Sequence, residues 1–327
     1  MKPSVSIVIP CFNEEKTIRD LLKAICTQTY PISRMEVVIA DGFSTDATRQ
    51  RIADFQVENP RFKIQVVDNP KHIIPAGVNI AVRASHGEII IRLDGHSMPY
   101  PAYVANCVTA LQQKQGDNVG GVWEIKPSRN TPLAACIALA AAHPLGVGDA
   151  HYRLGKQAGA VDTVPFGAFR RSLFDQLAGF NEELLTNEDY EFNTRIRQGG
   201  GVVWLDPSIR TVYLARPDLG ALAKQYFRYG YWKFKMLRRY PNTLRWRQAL
   251  PPLFVTSLIF MTLLSIFFHQ ALYLLGIELL VYLLILLIFG AFIAQKHHRI
   301  SCIIGFPAAI TTMHLCWGAG FLASMIK

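Results

Sequence analysis

At 327 residues, with 50% hydrophobic and 18% charged side chains, the chain is longer than one ordinary domain and too unevenly apolar to be soluble throughout. A formal charge of +10 would suit nucleic acid, but eight Lys/Arg and no Asp/Glu fall between Lys224 and Arg247, directly ahead of a hydrophobic tail. A basic segment in that position fits anionic lipid headgroups and argues against a nucleic-acid groove.

From the N-terminus, apolar runs alternate with helical patterns. The order is strand Val5–Ile9, helix Glu15–Thr27, strand Glu36–Ala40, helix Thr45–Phe55, strand Phe62–Val67, helix Pro75–Ala84 and strand Glu88–Leu93. Continuous apolar strands separated by helices predict an α/β fold with a mostly parallel sheet covered on both faces. The first run is too short for a signal peptide and reads as a strand, so the soluble part is expected in the cytosol. Six cysteines without C-x-x-C spacing suit a reducing compartment and argue against both a zinc site and a disulfide framework.

A helix over Tyr100–Lys114 and a strand over Val119–Trp123 come next. The Ala-rich run Leu133–Gly148 reads as a helix against a bilayer, a cover over an acceptor, or an ordinary core helix. A loop holds Pro165–Phe169, and Glu188–Arg197 has helical character, with Thr186 and Asp189 in capping-box spacing. A strand Gly201–Leu205 precedes the basic aromatic segment Gln225–Trp246, whose composition suits the headgroup layer. The tail divides into three predicted spans, Leu250–Phe268, Ala271–Ala294 and Ser301–Met325. The turn His269-Gln270 is neutral, and the turn Lys296–Arg299 is basic. A cytosolic soluble domain with the basic turn on the same side satisfies the positive-inside rule. Glu278 and His314 lie within spans and should face other helices or an interface.

Ligands of such sheets bind beyond the carboxyl ends of the strands, where three groups of residues converge. Pro10–Glu15, with Asn13 and Glu14, follows the first strand; Asp41-Gly42 and the run to Thr48 follow the second. Carboxylates there can accept from ribose hydroxyls or a uracil N–H. Asp41 taken alone is a common turn residue, and Asp46 reads as a helix cap. Asp94 and His96, two residues apart at the end of an apolar strand, can give oxygen and nitrogen ligands to Mn2+ or Mg2+ held against a diphosphate. Asp189 at a helix start is helped toward ionisation by the backbone dipole and suits a general base, with Glu188 as its supporting neighbour.

Together these segments resemble the family 2 glycosyltransferases, inverting enzymes of the GT-A fold. The resemblance rests on Ser6–Glu15, Asp41–Thr48, Asp94-Gly95-His96 in the Asp-x-Asp place and Asn187-Glu188-Asp189, in that order and spacing. A narrower resemblance, to the ExoA-type enzymes of succinoglycan and related exopolysaccharide assembly, rests on Ile74–Asn79, Asp94–His96 with Tyr100-Pro101, Val164–Phe169 and Gln225–Gly230. It implies a nucleotide-sugar-binding domain over residues 1–220, an interfacial segment over 221–249 and a membrane domain over 250–327. It also implies donor binding at Asn13, Glu14, Asp41, Gly42, Asn79 and Asp94, metal binding at Asp94 and His96, and proton abstraction by Asp189. Gln225, Arg228 and Tyr229 occupy the place of the family's Gln-x-x-Arg-Trp motif.

Two departures from the family pattern matter. His96 stands where a second acid is usual, and Tyr229 stands where processive synthases carry Trp. The expected function is transfer of one sugar per encounter, from a nucleotide sugar, with UDP the expected nucleotide, to a lipid-linked polyprenyl acceptor at the cytoplasmic membrane. Transfer to polyprenyl phosphate itself, and a transporter or flippase with a cytosolic sensing domain, are the alternatives.

Overall fold

The computed structural model describes residues 2–155 and 157–326. In chain order its elements are β1 (Val5–Cys11), α1 (Ile18–Cys26), β2 (Met35–Asp41), α2 (Thr48–Glu58), β3 (Ile64–Asp68), α3 (Ile74–Ala84), β4 (Ile89–Arg92) and β5 (Met98–Pro99). There follow α4 (Tyr103–Gln112), β6 (Asn118–Pro127), α5 (Pro132–Ala141), α6 (Pro144–Val147), α7 (His151–Leu154), β7 (Gly159–Ala160), β8 (Ala168–Arg170), α8 (Arg171–Gln176) and α9 (Glu188–Gln198). The chain ends with β9 (Val203–Ala215), α10 (Leu219–Arg239), α11 (Trp246–Leu264), α12 (His269–His297) and α13 (Cys302–Ile326). Two compact units result, residues 1–124 with 155–213, and residues 125–154 with 214–327.

The first unit is organised by its sheet, whose strand order is β3-β2-β1-β4-β8-β6-β9-β5, with β7 beside β9. The half built from β3, β2, β1 and β4 is parallel, as the alternating pattern predicts. Every residue of β1 is buried, which is why that strand reads as a continuous apolar run. On α1 the buried positions Ile18, Leu21, Leu22 and Ile25 form the single stripe that closes one face of the sheet. Beyond β4 the sheet turns antiparallel through β8, which pairs with both β4 and β6. Residues expected as loop, Ala168 and Phe169, therefore belong to a central strand. The strand expected over Gly201–Leu205 starts at Val203 and continues to Ala215.

The second unit joins α5–α7 to the four C-terminal helices, so the run 125–154 groups with the tail and not with the sheet. Thr131 caps α5 by accepting from Ala134 N at 3.2 Å. Cys136 and Ile137 of that helix pack in one cluster with Phe306, Ile310 and Met313 of α13. The basic aromatic segment is helical from Leu219, capped by Asp218, whose Oδ1 accepts from Ala221 N at 2.8 Å. Among the described residues, α11, α12 and α13 are long and apolar enough to cross a membrane. Their bounds lie within a few residues of the expected spans. His298, at φ 52°, ends α12 in the left-handed conformation of a helix C-cap, inside the basic turn.

Both polar residues in the spans meet protein groups. Glu278 accepts from Ser257 Oγ at 2.5 Å. His314 lies between Tyr282 OH at 3.0 Å and the Leu145 carbonyl at 2.8 Å. Neither needs to meet lipid, as expected of buried polar groups at membrane depth.

Helices α10 and α13 approach so closely that a Cβ on Gly230 would collide with the Trp317 carbonyl, and one on Gly320 with that of Phe227. Gly320→Leu is therefore expected to lower the melting temperature of detergent-solubilised protein by several degrees, through about 1–3 kcal/mol of overpacking. Gly276→Leu, where nothing lies within 4 Å, serves as the neutral control. Equal melting temperatures for the two variants would contradict this packing.

Candidate active site

Strands β1, β2 and β4 end side by side, with Cys11 opposite Asp41 and Val8 opposite Arg92. Their loops leave one edge of the sheet and are bound to one another. Asn13, at φ 54°, accepts from Thr45 N at 2.8 Å through its side-chain oxygen, and its own N–H donates to Ser44 Oγ at 2.9 Å. Glu14 N donates to Thr48 Oγ1, and Glu15 N to Asp46 Oδ2. Asp46 Oδ1 also accepts from Thr48 N at 3.0 Å, but the N-cap of α2 is Ala47, without a side-chain bond, so Asp46 forms an Asx turn one residue ahead of the cap expected of it.

Asp41 is fully buried. Its oxygens accept from Ser44 Oγ at 2.5 Å, Ser44 N at 3.0 Å and Arg49 Nε at 2.6 Å. Arg49 reaches on to Asp68 at 2.5 Å. The expected donor carboxylate thus shows no oxygen to solvent; it shapes the turn at Gly42 and fixes Arg49. Gly42 is tied on both sides, its N–H to the Cys11 carbonyl and its carbonyl to His72 Nδ1 at 2.7 Å. What this part of the rim exposes is aromatic and cationic: the rings of Phe12 and Phe43, and a half-exposed Arg49 lying 5.8 Å from the Phe43 ring.

Asn79 is buried on α3, and its amide donates to Phe180 O at 2.8 Å and to Glu182 Oε1 at 2.9 Å while accepting from Phe180 N at 2.8 Å. Through these bonds it ties α3 to the segment ahead of α9.

After β4 the chain turns tightly: Asp94 N donates to Ser97 Oγ, and Ser97 N to Asp94 O, both at 2.9 Å. His96 Nδ1 lies 2.8 Å from Glu14 Oε1, while Thr17 Oγ1 donates to Glu14 Oε2 at 2.6 Å. A Cβ at Gly95 would stand 2.8 Å from Glu14 Cγ, so a larger residue there would push Glu14 off the histidine. The loop after β1 therefore bridges the Asp41 turn on one side and the Asp94–His96 turn on the other.

Arg92 gathers the remaining acids. It is 2% exposed at the end of β4, and its backbone N–H donates to Gly167 O at 3.1 Å. Nη1 donates to Asp189 Oδ1, while Nη2 donates to Glu188 Oε1 at 2.9 Å and to Asp94 Oδ1 at 3.0 Å. Three expected site residues, far apart in sequence, thus meet around one guanidinium. Sequence reasoning passed over Arg92, although an arginine closing the apolar run Ile89-Ile90-Ile91 is itself a signal that carboxylates must lie nearby.

The expected capping box at α9 does not form. The helix begins at Glu188, so Asp189 stands one position too early for it, and Asn187 caps in a left-handed conformation at φ 70° without a side-chain bond. Asp189 points to Arg92 instead. Burial pushes its carboxyl up to about 7, Glu188 and Asp94 add to the rise, and Arg92 pulls against it.

Gln225, Arg228 and Tyr229 lie on α10 in the other unit, where Gln225 Nε2 donates to Tyr229 OH at 2.9 Å and the Tyr229 ring packs 6.3 Å from Trp317. Among the described residues no group of three His, Cys, Asp or Glu side chains surrounds a metal position. Asp94 and His96 provide a carboxylate oxygen and, with Nδ1 turned to Glu14, the ring Nε2. That donor pair fits a divalent ion that takes its remaining ligands from a bound diphosphate.

Comparison with known proteins gives the family and the fold. The model for Glycosyl transferase family 2 matches residues 6–178. The chain is 30% identical over 322 residues to Succinoglycan biosynthesis protein ExoA of Rhizobium meliloti, covering 98% of this chain and 94% of that one. It is 27% identical over 327 residues to a Methanococcus voltae enzyme, dolichyl N-acetyl-alpha-D-glucosaminyl phosphate 3-beta-D-2,3-diacetamido-2,3-dideoxy-beta-D-glucuronosyltransferase, covering 99% and 97%. The fold is similar to that of mannosyltransferase PcManGT from Pyrobaculum calidifontis in complex with GDP-Man and Mn2+, with TM-score 0.67, 20% identity, and 99% and 88% of the two chains covered.

Proposed function

The chain belongs to glycosyl transferase family 2, and from that premise we propose that it is a membrane-anchored inverting transferase moving one sugar from a nucleoside diphosphate to a lipid-linked acceptor. The observation that carries this reading is the meeting of Asp94, Glu188 and Asp189 on Arg92 at the carboxyl edge of the sheet. Asp189 is the base. One of its oxygens is held by Arg92, and the other takes the proton of the acceptor hydroxyl as that oxygen attacks the anomeric carbon from the side opposite the diphosphate, inverting its configuration.

The nucleoside end of the donor lies along the loops after β1 and β2, where exposed Phe12 and Phe43 offer ring faces to a base and Arg49 a charge to phosphate or ribose. Asn13 and Asp41 hold those loops in shape. Asp94 and His96 would hold a divalent ion, Mn2+ or Mg2+, which when bound offsets charge on the departing diphosphate. Glu14 fixes the orientation of the His96 ring through Nδ1 and would thereby set the imidazole for such an ion. Glu14→Gln is therefore expected to weaken Mn2+ binding by about 10–100-fold, measured by electron paramagnetic resonance titration of the full-length protein. Unchanged affinity would remove Glu14 from this role.

Arg228, with Gln225 and Tyr229, is assigned to the leaving diphosphate by its place in the family's Gln-x-x-Arg-Trp motif. For the acceptor, the names of the two full-length relatives support an exopolysaccharide or lipid-phosphate-linked saccharide. A tail of three candidate spans supports an acceptor carried in the membrane. A location in the cytoplasmic membrane, with the transferase unit and the basic turn 296–299 on the cytosolic side, is the reading that the three candidate spans and the positive-inside bias support.

The test is a panel of UDP- and GDP-sugars incubated with membranes containing the full-length protein, with and without chelator, followed by extraction of lipid products. An elongated lipid-linked saccharide supports the reading. A monosaccharide joined directly to polyprenyl phosphate redirects it to a phosphate acceptor. Lipid movement without sugar turnover overturns it.

A further inference from the structure

We propose that Arg92 is a positioning residue, which holds the base Asp189 and the metal-binding Asp94 at a fixed separation through its two terminal nitrogens. The inference rests on the roles given to those acids above.

Three observations support it. The first is energetic. A guanidinium 2% exposed at the end of a core strand is costly to bury, and a buried ion cluster replaced as a whole by apolar residues of similar volume commonly leaves stability unchanged or improves it. Ile91 and Leu93, on either side of Arg92, are 0% exposed, so the strand is already anchored by its apolar positions. Packing alone therefore does not account for a charge here.

The second is geometric. The guanidinium is a rigid planar fork, and its two prongs are divided between functions: Nη1 goes to Asp189, while Nη2 serves Asp94 and Glu188 together. Nε has no partner. The strand backbone holds the Arg92 main chain through Gly167, and the acids alone orient the head. Movement of Asp94 is thereby transmitted to Asp189 through a single plane of atoms, and Glu188 locks the fork from the helix side.

The third is the charge balance. One cation facing three carboxylates leaves two negative charges uncompensated when all are ionised, which is the charge of one divalent ion. Arg92 thus keeps the acids together before the ion and diphosphate arrive, without supplying enough charge to replace the ion.

The alternative is that Arg92 merely ties β4 to α9. The two roles separate in Arg92→Lys, which keeps the charge and loses the planar fork, measured on full-length protein in detergent beside Arg92→Met. The substrate is whichever nucleotide sugar of the UDP/GDP panel the wild type turns over fastest, and Mn2+ alone is followed by electron paramagnetic resonance.

For a positioning role, Arg92→Lys lowers kcat by roughly 10–100-fold, while the donor KM and Mn2+ affinity stay within about threefold and the melting temperature is retained. Arg92→Met loses more activity than Arg92→Lys. Wild-type kcat in Arg92→Lys overturns the proposal. So does a joint loss of melting temperature, Mn2+ binding and donor affinity in that variant, since a structural tie would move all three. If Arg92→Met does not fold, Arg92→Lys decides. Asp189→Asn in the same assay keeps the two levels apart: activity there defeats the assignment of the base, whereas a silent Asp189→Asn beside a fully active Arg92→Lys defeats only the positioning role.

Discussion

Asp189→Asn is expected to lower turnover by about 10²–10⁴-fold, the usual contribution of a general base, while leaving nucleotide-sugar affinity essentially unchanged. Asparagine keeps the shape and can still accept from Arg92, so the loss reports the missing base and not a displaced helix. The wild-type pH profile gives an independent check. Burial raises the Asp189 carboxyl to about 7, and a base works only when ionised. The folded protein therefore retains this proton through the acidic range, and kcat/KM rises as pH passes upward through about 7, then levels. A variant with full activity, or a wild-type profile flat across neutrality, would remove Asp189 from the base role.

Asp94→Ala is the second large effect. Offsetting charge on the leaving diphosphate is worth several kcal/mol, which at about 1.36 kcal/mol per factor of ten gives a loss of about 10²–10³-fold. Two consequences combine in this variant. The ion loses its carboxylate, and one prong of Arg92 loses a partner, leaving the fork to Glu188 and Asp189. Chelation of the wild type is expected to produce the first effect without the second, and added Mn2+ should reverse it. Initial rates in the presence of chelator, with and without restored metal, measure both. An Asp94→Ala enzyme as fast as the untreated wild type, or a wild type unaffected by chelator, would exclude a metal-held diphosphate at this turn.

Much of the scaffold was readable before any tertiary information, and particular residues show why. The seven buried residues of β1 and the single stripe Ile18, Leu21, Leu22 and Ile25 on α1 express burial through local periodicity, which neighbouring residues encode by themselves. The three candidate membrane helices announce themselves by length and hydropathy alone, because the thickness of a bilayer is a fixed external ruler. The antiparallel half of the sheet was not readable. Its strand β8 is three residues long, too short for any period to show, and becomes a strand only because β4 and β6 flank it.

The site divides along the same line. Its chemistry, meaning acids and a histidine at the ends of strands and at a helix start, followed from the order of residues and their motifs. Their partners did not. Glu14 meets His96 across 82 positions and Arg92 meets Asp189 across 97. Asn79 and Asp41, donor residues by motif, are bonded to Phe180, Glu182, Ser44 and Arg49, partners that no motif announces. The sequence by itself determined which groups could perform the reaction and that a membrane anchor follows them. Only the tertiary structure decided which carboxylates are enclosed, which remain available, and which cation gathers them, because those outcomes depend on desolvation and on contacts between strand ends far apart in the chain.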